Sequence, residues 1–372
     1  MKIILVAGAR PNFMKIAPII QAIKKHNRQH QTSIRWQLVH TGQHYDDEMS
    51  KIFFKDLEIP EPDIYLGVDS GTHSQQTARV MVEFEKVLFR EKPDLVIVVG
   101  DVNSTLAAAL AAAKLHIRLA HVEAGLRSYD RRMPEEINRV LTDALSDYLF
   151  THSPDADKNL KKEGISKGKI FFVGNVMIDT LLKLKTKSQK SKILRKLNLR
   201  REAYALLTLH RPSNVDHKEN FLKILKALKE ISKRIPIIFP VHPRTRRNIK
   251  RFKLNKFFKN ISLIEPLGYL DFLKLMISSK FAMTDSGGMQ EETTVLNIPC
   301  LTLRDTTERP ITTREGTNIL VGNDTVKIIK EAEKILDGKR KKGVYPALWD
   351  GNAASRIISV LKGVRSQHLT KF

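Results

Sequence analysis

One cysteine, two tryptophans and no long apolar run set the first limits on this 372-residue chain. The lone thiol, Cys300, excludes an internal disulfide and any zinc cluster built on cysteines. No apolar stretch reaches the roughly 18–20 residues needed to span a bilayer, so no membrane span is expected. The opening MKIILVAGARPNF holds only a short apolar run before a polar loop. It reads as a first strand and not as a signal peptide, and cytoplasm is the expected compartment. HExxH, GxSxG and GxxxxGK(S/T) are all missing, so zinc-protease, serine-hydrolase and P-loop readings lack their residues. GxGxxG is missing too. The first strand is followed by Gly8-Ala9-Arg10-Pro11-Asn12-Phe13, without the glycines that turn a backbone tightly on a dinucleotide pyrophosphate. That argues against NAD chemistry.

Acidic residues are scarce in one half only. Residues 1–180 hold 24 Lys+Arg against 23 Asp+Glu, and residues 181–372 hold 40 against 17. The excess concentrates in Lys183–Arg201 and Arg244–Lys259. Such a half could face an anionic partner, but its basic residues are spread over amphipathic helices with no aromatic stacking platform. A solvated lysine-rich surface is the favoured reading, and no nucleic-acid partner is expected.

What the chain does contain is a regular alternation. Strand-like runs (2–7, 34–41, 95–100, 118–122, 148–151 and 170–173) alternate with helical ones, and the second half repeats the scheme at 203–208, 235–241, 261–264, 281–284 and 300–303. This is the pattern of an α/β protein with parallel sheets covered by helices on both faces. The nine basic and no acidic residues of Lys183–Arg201 predict a linker with a short helix. Two domains are therefore expected, 1–185 and 186–372, with the last helix, near Ala353–Lys362, crossing back onto the first.

Three carboxylates fall where such a sheet binds ligands, at the carboxyl ends of its strands. Asp101 (GDVNST) follows DLVIVVG, Glu123 (HVEAGLR) follows the next apolar run, and Glu135 (MPEEINR) opens a helix. Crowded carboxylates raise one another's pKa, readying one to hold a proton and another to take one. Glu135 and Arg139, four apart, share a helix face, and an ordinary helix ion pair is the alternative reading. Arg10 and Lys15 at the same edge can meet a phosphate or a sugar. In the second half, Thr284-Asp285-Ser286-Gly287-Gly288 ends a strand and opens a helix, presenting backbone N–H groups to an anion. His210 and Arg211 end another strand, two cations suited to a diphosphate leaving group. His242 in VHP reads as structural. The loop Arg304–Pro310 packs charge and hydroxyls whose burial requires pairing with a ligand or with each other.

In that order, ARPNFMKIAP, TGQHYD, PDLVIVVGD, AHVEAGLRS, MPEEINR, VGNVMIDTL, HRPSN, PVHP, TDSGGMQEE and RDTTERP run nearly end to end. Together they resemble the non-hydrolysing UDP-N-acetylglucosamine 2-epimerases. The resemblance implies two Rossmann-like domains in a glycosyltransferase-B arrangement, a UDP-sugar in an interdomain active-site cleft, a homodimer, and neither NAD nor metal. It implies inversion at C2 by elimination of UDP to a 2-acetamidoglucal and re-addition. Asp101, Glu123 and Glu135 then divide the proton transfers, and His210 with Arg211 stabilises the departing diphosphate. Ser286, Gly287 and Gly288 hold the phosphates, Glu292 holds the ribose, and Arg10, Lys15, Arg139 and Arg309 line the cleft. Gln43, Asp46, Arg211 and His242 fall in the region of a regulatory UDP-GlcNAc site in relatives. The first loop departs from the commoner TRPEAIK, with Asn12 replacing an acid, and Asp46 stands where Gln is frequent. A hydrolysing epimerase, an epimerase of a further modified UDP-HexNAc and, more distantly, a glycosyltransferase of the same architecture remain open.

Overall fold

A computed structural model of the chain describes residues 1–29, 33–42, 57–69 and 71–368. It divides into two units: Met1–Leu182 joined by the chain from Ala347 onward, and Lys183–Pro346. In the first unit β1 (Lys2–Ala7), β2 (Arg35–His40), β3 (Ile64–Tyr65), β4 (Leu95–Val99), β5 (Arg118–Ala124), β6 (Tyr148–Thr151) and β7 (Ile170–Phe172) form one sheet ordered β3-β2-β1-β4-β5-β6-β7. Every pairing is parallel. Strands buried on both faces can be apolar along their whole length, and KIILVA and LVIVV are. The helix Asn103–Lys114 (NSTLAAALAAAK) follows β4, and its alanines combine high helix propensity with close approach to the sheet. Chain order reverses between β1 and β4, which opens the crevice where α/β sheets bind ligands.

The second unit repeats the plan with β8 (Ala205–Thr208), β9 (Ile237–Pro240), β10 (Ile261–Ile264), β11 (Phe281–Thr284), β12 (Cys300–Thr302) and β13 (Asn318–Leu320). Its order is β10-β9-β8-β11-β12-β13, again all parallel, with the reversal between β8 and β11. Phe221, Phe239 and Phe281 lie in its buried core.

The structure departs from the sequence expectation at the chain end and at two short strands. Residues from 347 onward, counted with the second domain although their helix was expected to cross back onto the first, belong to the first unit. Their helix, Ala353–His368, packs on Arg10–Gln29, and Asp179 accepts hydrogen bonds from the Ala353 and Ala354 amides at 3.1 and 2.8 Å. Trp349, fully buried, donates to the His152 carbonyl at 2.7 Å. The short helix expected in the basic stretch is Ile193–Lys196, and the last turns of the helix Val176–Ser188 reach into the same stretch. β3 and β13, of two and three residues, are too short to leave a periodic signal and were not expected.

Candidate active site

At the reversal of the first sheet, the turn after β4 and the bulged end of β5 present two carboxylates side by side in the sheet order. Gly100 takes φ +68°, which turns the chain so that Asp101 leaves the strand end. Glu123 sits at φ +75°, a costly conformation for a residue with a Cβ, and the β5–β6 register shifts across it. The bulge aims Glu123 back toward the helix Arg10–Gln29, where Lys15 forms an ion pair with it. Both side chains of that pair are less than a tenth exposed. Asp101 is a quarter exposed, and the fully buried Arg139 guanidinium binds it at 2.5 Å. The expectation of carboxylates pressed against one another is thus replaced by carboxylates each held to a cation.

Arg139 comes from the helix Pro134–Leu145. Its partner on that helix is Glu136, three residues back, where the four-residue spacing had pointed to Glu135. Burial pushes the Glu136 carboxyl up, but hydrogen bonds from the Ser128 amide and from Arg139 outweigh it and hold the group below its usual range. Glu135 stands half-buried at the helix start. Asn138 on the same helix donates to the Asp101 carbonyl at 2.9 Å. Asn12 takes two amides, Gly8 and Ala9, on its oxygen and donates its NH2 to the Val99 carbonyl at 2.9 Å. An acid at that position could not donate, so the departure at Asn12 ties the end of β1 to the end of β4. The side chain of Arg10, and Gln43 and Asp46 altogether, lie outside the described residues.

In the second unit the carboxylates are buried, His210 and Arg211 stay partly exposed, and Arg309 is buried with its acids. Asp285, fully buried after β11, accepts from the His210 and Arg211 amides and from Asn214, and lies 3.0 Å from His210 Nδ1. Burial raises its pKa, but the His210 contact and the two amides bring it below the ordinary value. His210 itself is two-fifths exposed, so its other ring nitrogen can reach a ligand. The His242 ring is tilted by 36° to that of His210, with centroids 5.7 Å apart. Its Nδ1 accepts from the Arg244 amide at 3.2 Å, capping the helix Pro243–Arg251, and burial followed by the charges of His210 and Arg244 lowers its pKa.

The Ser-Gly-Gly turn opens the helix Gly287–Val295 as the sequence predicts, with Ser286 at its N-cap. The first glycine has a different reason, however. A Cβ at Gly287 would lie 2.5 Å from Arg309 Nη1 and 2.9 Å from Glu308 Oε1, so the missing side chain makes room for Arg309. Arg309 donates to Glu291 at 2.9 Å and pairs with Glu308. Burial raises the Glu308 pKa, yet Arg309 and Arg304 hold it well below the usual range, and Arg211 lies 3.8 Å away. The charged loop therefore pairs within itself, with Thr307 donating to Gln290 at 2.7 Å. Glu292 accepts from the Tyr269 hydroxyl at 2.6 Å, and burial pushes its pKa up to about 7. Asp285, Glu291 and Tyr269 were missed as site residues because their partners are distant in sequence, and Glu308 because its pairing with Arg304 and Arg309 lies inside the charged loop. Among the described residues no cluster of His, Cys, Asp and Glu could hold a metal ion.

Two parallel sheets of the same winding, each with its charged groups gathered at the reversal of strand order, define a protein of two Rossmann-like nucleotide-binding units. The family described as UDP-N-acetylglucosamine 2-epimerase matches residues 26–362, and the chain belongs to that family. It is 47% identical to a Methanocaldococcus jannaschii UDP-N-acetylglucosamine 2-epimerase, over 97% of this chain and 99% of the relative. A Pseudomonas aeruginosa UDP-2,3-diacetamido-2,3-dideoxy-D-glucuronate 2-epimerase is 43% identical over 97% and 99%. The M. jannaschii UDP-GlcNAc 2-epimerase in complex with UDP-GlcNAc and UDP superposes with a TM-score of 0.90 at 46% identity, covering 97% of this chain and 99% of that one. The Neisseria meningitidis enzyme bound to UDP-GlcNAc gives 0.87 at 33% identity, covering 98% and 100%. The fold is accordingly GT-B-like. No helix among the described residues is long and apolar enough to cross a membrane.

Proposed function

We propose that this chain interconverts UDP-GlcNAc and UDP-ManNAc. A base takes the C2 proton while the C1–O bond breaks and its electron pair leaves with UDP, producing the C1=C2 bond of a 2-acetamidoglucal. Return of a proton to the opposite face of C2, with the UDP oxygen re-forming the bond at C1, completes the inversion without oxidant or reductant. Two faces require more than one proton-transfer group, and the observation that carries this reading is the pair of cation-held carboxylates, Asp101 with Arg139 and Glu123 with Lys15. Glu135 completes the set. His210, oriented by Asp285, and Arg211 meet the charge that develops on the departing diphosphate. Ser286 and Gly288 offer the helix start to the phosphates, Arg309 supports that turn, and Glu292 accepts from the ribose hydroxyls.

Incubation with UDP-GlcNAc in D2O, followed by proton NMR, tests this. UDP-ManNAc carrying deuterium at C2 is the expected product. Free ManNAc with UDP would indicate a hydrolysing enzyme. The Pseudomonas relative supports a second reading, a substrate with a 3-acetamido group and a C6 carboxylate, which the same assay with that sugar nucleotide decides.

We further infer a homodimer. Ile137, Val140 and Leu141 lie on one face of the helix Pro134–Leu145 with about two-fifths of their surface exposed, an arrangement that favours an apolar partner. A cytoplasmic setting suits the free thiol of Cys300.

A further inference from the structure

The groups that touch Asp101 and Glu123 do not explain what fixes the turn and the bulge that carry them. Directly behind both lies a buried pair. His121, on β5 and fully buried, points Nε2 at the Gly100 carbonyl at 2.8 Å and Nδ1 at Asp143 Oδ1 at 2.6 Å. A carbonyl oxygen only accepts, so Nε2 carries a proton. Asp143 also accepts from the Gly125 amide at 3.0 Å and pairs with the Arg127 guanidinium at 2.7 Å through its second oxygen. Burial raises its pKa, but His121 and Arg127 outweigh burial and keep the carboxylate ionised. Asp143 Oδ1 faces Nδ1, so both ring nitrogens of His121 are engaged.

The connections of this pair are specific. Gly100 precedes Asp101, and Gly125 lies two residues past Glu123. Both glycines take positive φ, +68° and +79°. Asp143 lies one turn after Arg139 on the helix Pro134–Leu145. One helix face thus holds the Asp101 turn at three points: Arg139 on the carboxylate, Asn138 on the Asp101 carbonyl, and Asp143 through His121 on the Gly100 carbonyl. Through Gly125 it also holds the bulge that turns Glu123.

We propose that His121 and Asp143 are positioning residues that set the spacing between the carboxylates of Asp101 and Glu123. This rests on the epimerase reading above. Neither residue touches the substrate. Their effect is on rate, because the two proton transfers act at one carbon and tolerate little displacement of either group.

The test uses His121→Asn, His121→Gln and Asp143→Asn in the full chain. An asparagine amide can meet Asp143 but cannot reach the Gly100 carbonyl, whereas a glutamine amide can extend to it. His121→Asn should lose kcat on the order of 10²-fold, with KM for UDP-GlcNAc and affinity for UDP within about twofold of wild type. His121→Gln should recover most of the lost rate. Asp143→Asn, the variant to use if His121→Asn does not fold, should resemble His121→Asn. Wild-type kcat in His121→Asn would overturn the proposal. So would equal losses in the Asn and Gln variants that follow their loss of thermal stability, since a purely structural role gives that pattern.

Amide exchange at Gly100 supplies a readout independent of turnover. Its N–H donates to the Val122 carbonyl at 3.1 Å and should exchange about tenfold faster in His121→Asn, with the amides of β8 and β9 unchanged. Unchanged Gly100 exchange would overturn the proposal. If the wild-type chain converts neither UDP-GlcNAc nor UDP-ManNAc, the activity reading fails, and the exchange result decides the positioning claim by itself.

Discussion

The two sheets share one winding but use their carboxylates in opposite ways. At the edge of the first, cations hold the acids in place: Lys15 on Glu123 and Arg139 on Asp101, with Asp101 left a quarter exposed. At the edge of the second, acids hold the cations: buried Asp285 supports His210 and Arg211, and buried Glu291 and Glu308 support Arg309. In the reaction proposed above, the first unit supplies the proton-transfer groups and the second the diphosphate-binding groups. The difference lies in which groups stay partly exposed: Asp101 at the first edge, His210 and Arg211 at the second.

The first edge should dominate the rate of chemistry. Glu123→Gln and Asp101→Asn should each lower kcat by roughly 10³-fold or more, the range for removing a proton-transfer group, while UDP affinity changes little. Steady-state kinetics beside calorimetric titration with UDP checks this. A large loss of UDP binding in either variant would break the contrast between the edges. Asp285→Asn comes next. It keeps the volume but removes the charge that orients His210, and kcat should fall on the order of 10²-fold. UDP affinity should fall too, because the Arg211 amide shares the same carboxylate.

Gly287→Ala sharpens the reading of the second edge. The added methyl meets the Arg309 guanidinium and Glu308, so Arg309 must leave its contact with Glu291. KM for the sugar nucleotide should rise about tenfold with a smaller change in kcat. If the glycine served only backbone approach to phosphate, combining the change with Arg309→Ala, which empties the clashing space, would not relieve it.

Much of this contrast was legible in the residues. Apolar runs followed by Asp101, Glu123, His210 and the Ser-Gly-Gly turn placed both edges, because a buried strand leaves a strong signal and its end is where polar residues resume. The supporting groups were not legible. Glu136 stands beside Glu135 in MPEEINR, and only the packed helix shows which of the two turns inward to Arg139. Asp143 and His121, 22 residues apart, meet only when the helix Pro134–Leu145 lies on β5. The terminal helix was expected to cross back, but its anchor Asp179 lies 174 residues earlier, and the His152 carbonyl that holds Trp349 lies 197 residues earlier. Tertiary pairing of that range has no local signature.

The smallest expected effect concerns Glu292 and the response of the second edge to pH. Burial raises its pKa to about 7, the Tyr269 hydroxyl donates to it and pulls against that rise, and Glu291 nearby adds to it. Ribose hydroxyls need the carboxylate as acceptor, so UDP affinity should strengthen as pH rises through about 7 and level off above it. Tyr269→Phe removes the group that favours the ionised form. The midpoint should move upward, weakening UDP binding at neutral pH by less than about tenfold and not at all in alkaline solution. Folding responds with the opposite sign. A carboxyl whose folded pKa lies above its unfolded value of 4.5 favours the fold in acid, and that contribution is lost as pH rises through about 7. Calorimetric UDP titrations across this range, with Glu292→Gln as the variant that cannot ionise, separate the two effects. A UDP affinity in wild type that does not change with pH would remove Glu292 from the nucleotide site and leave its burial a matter of folding alone.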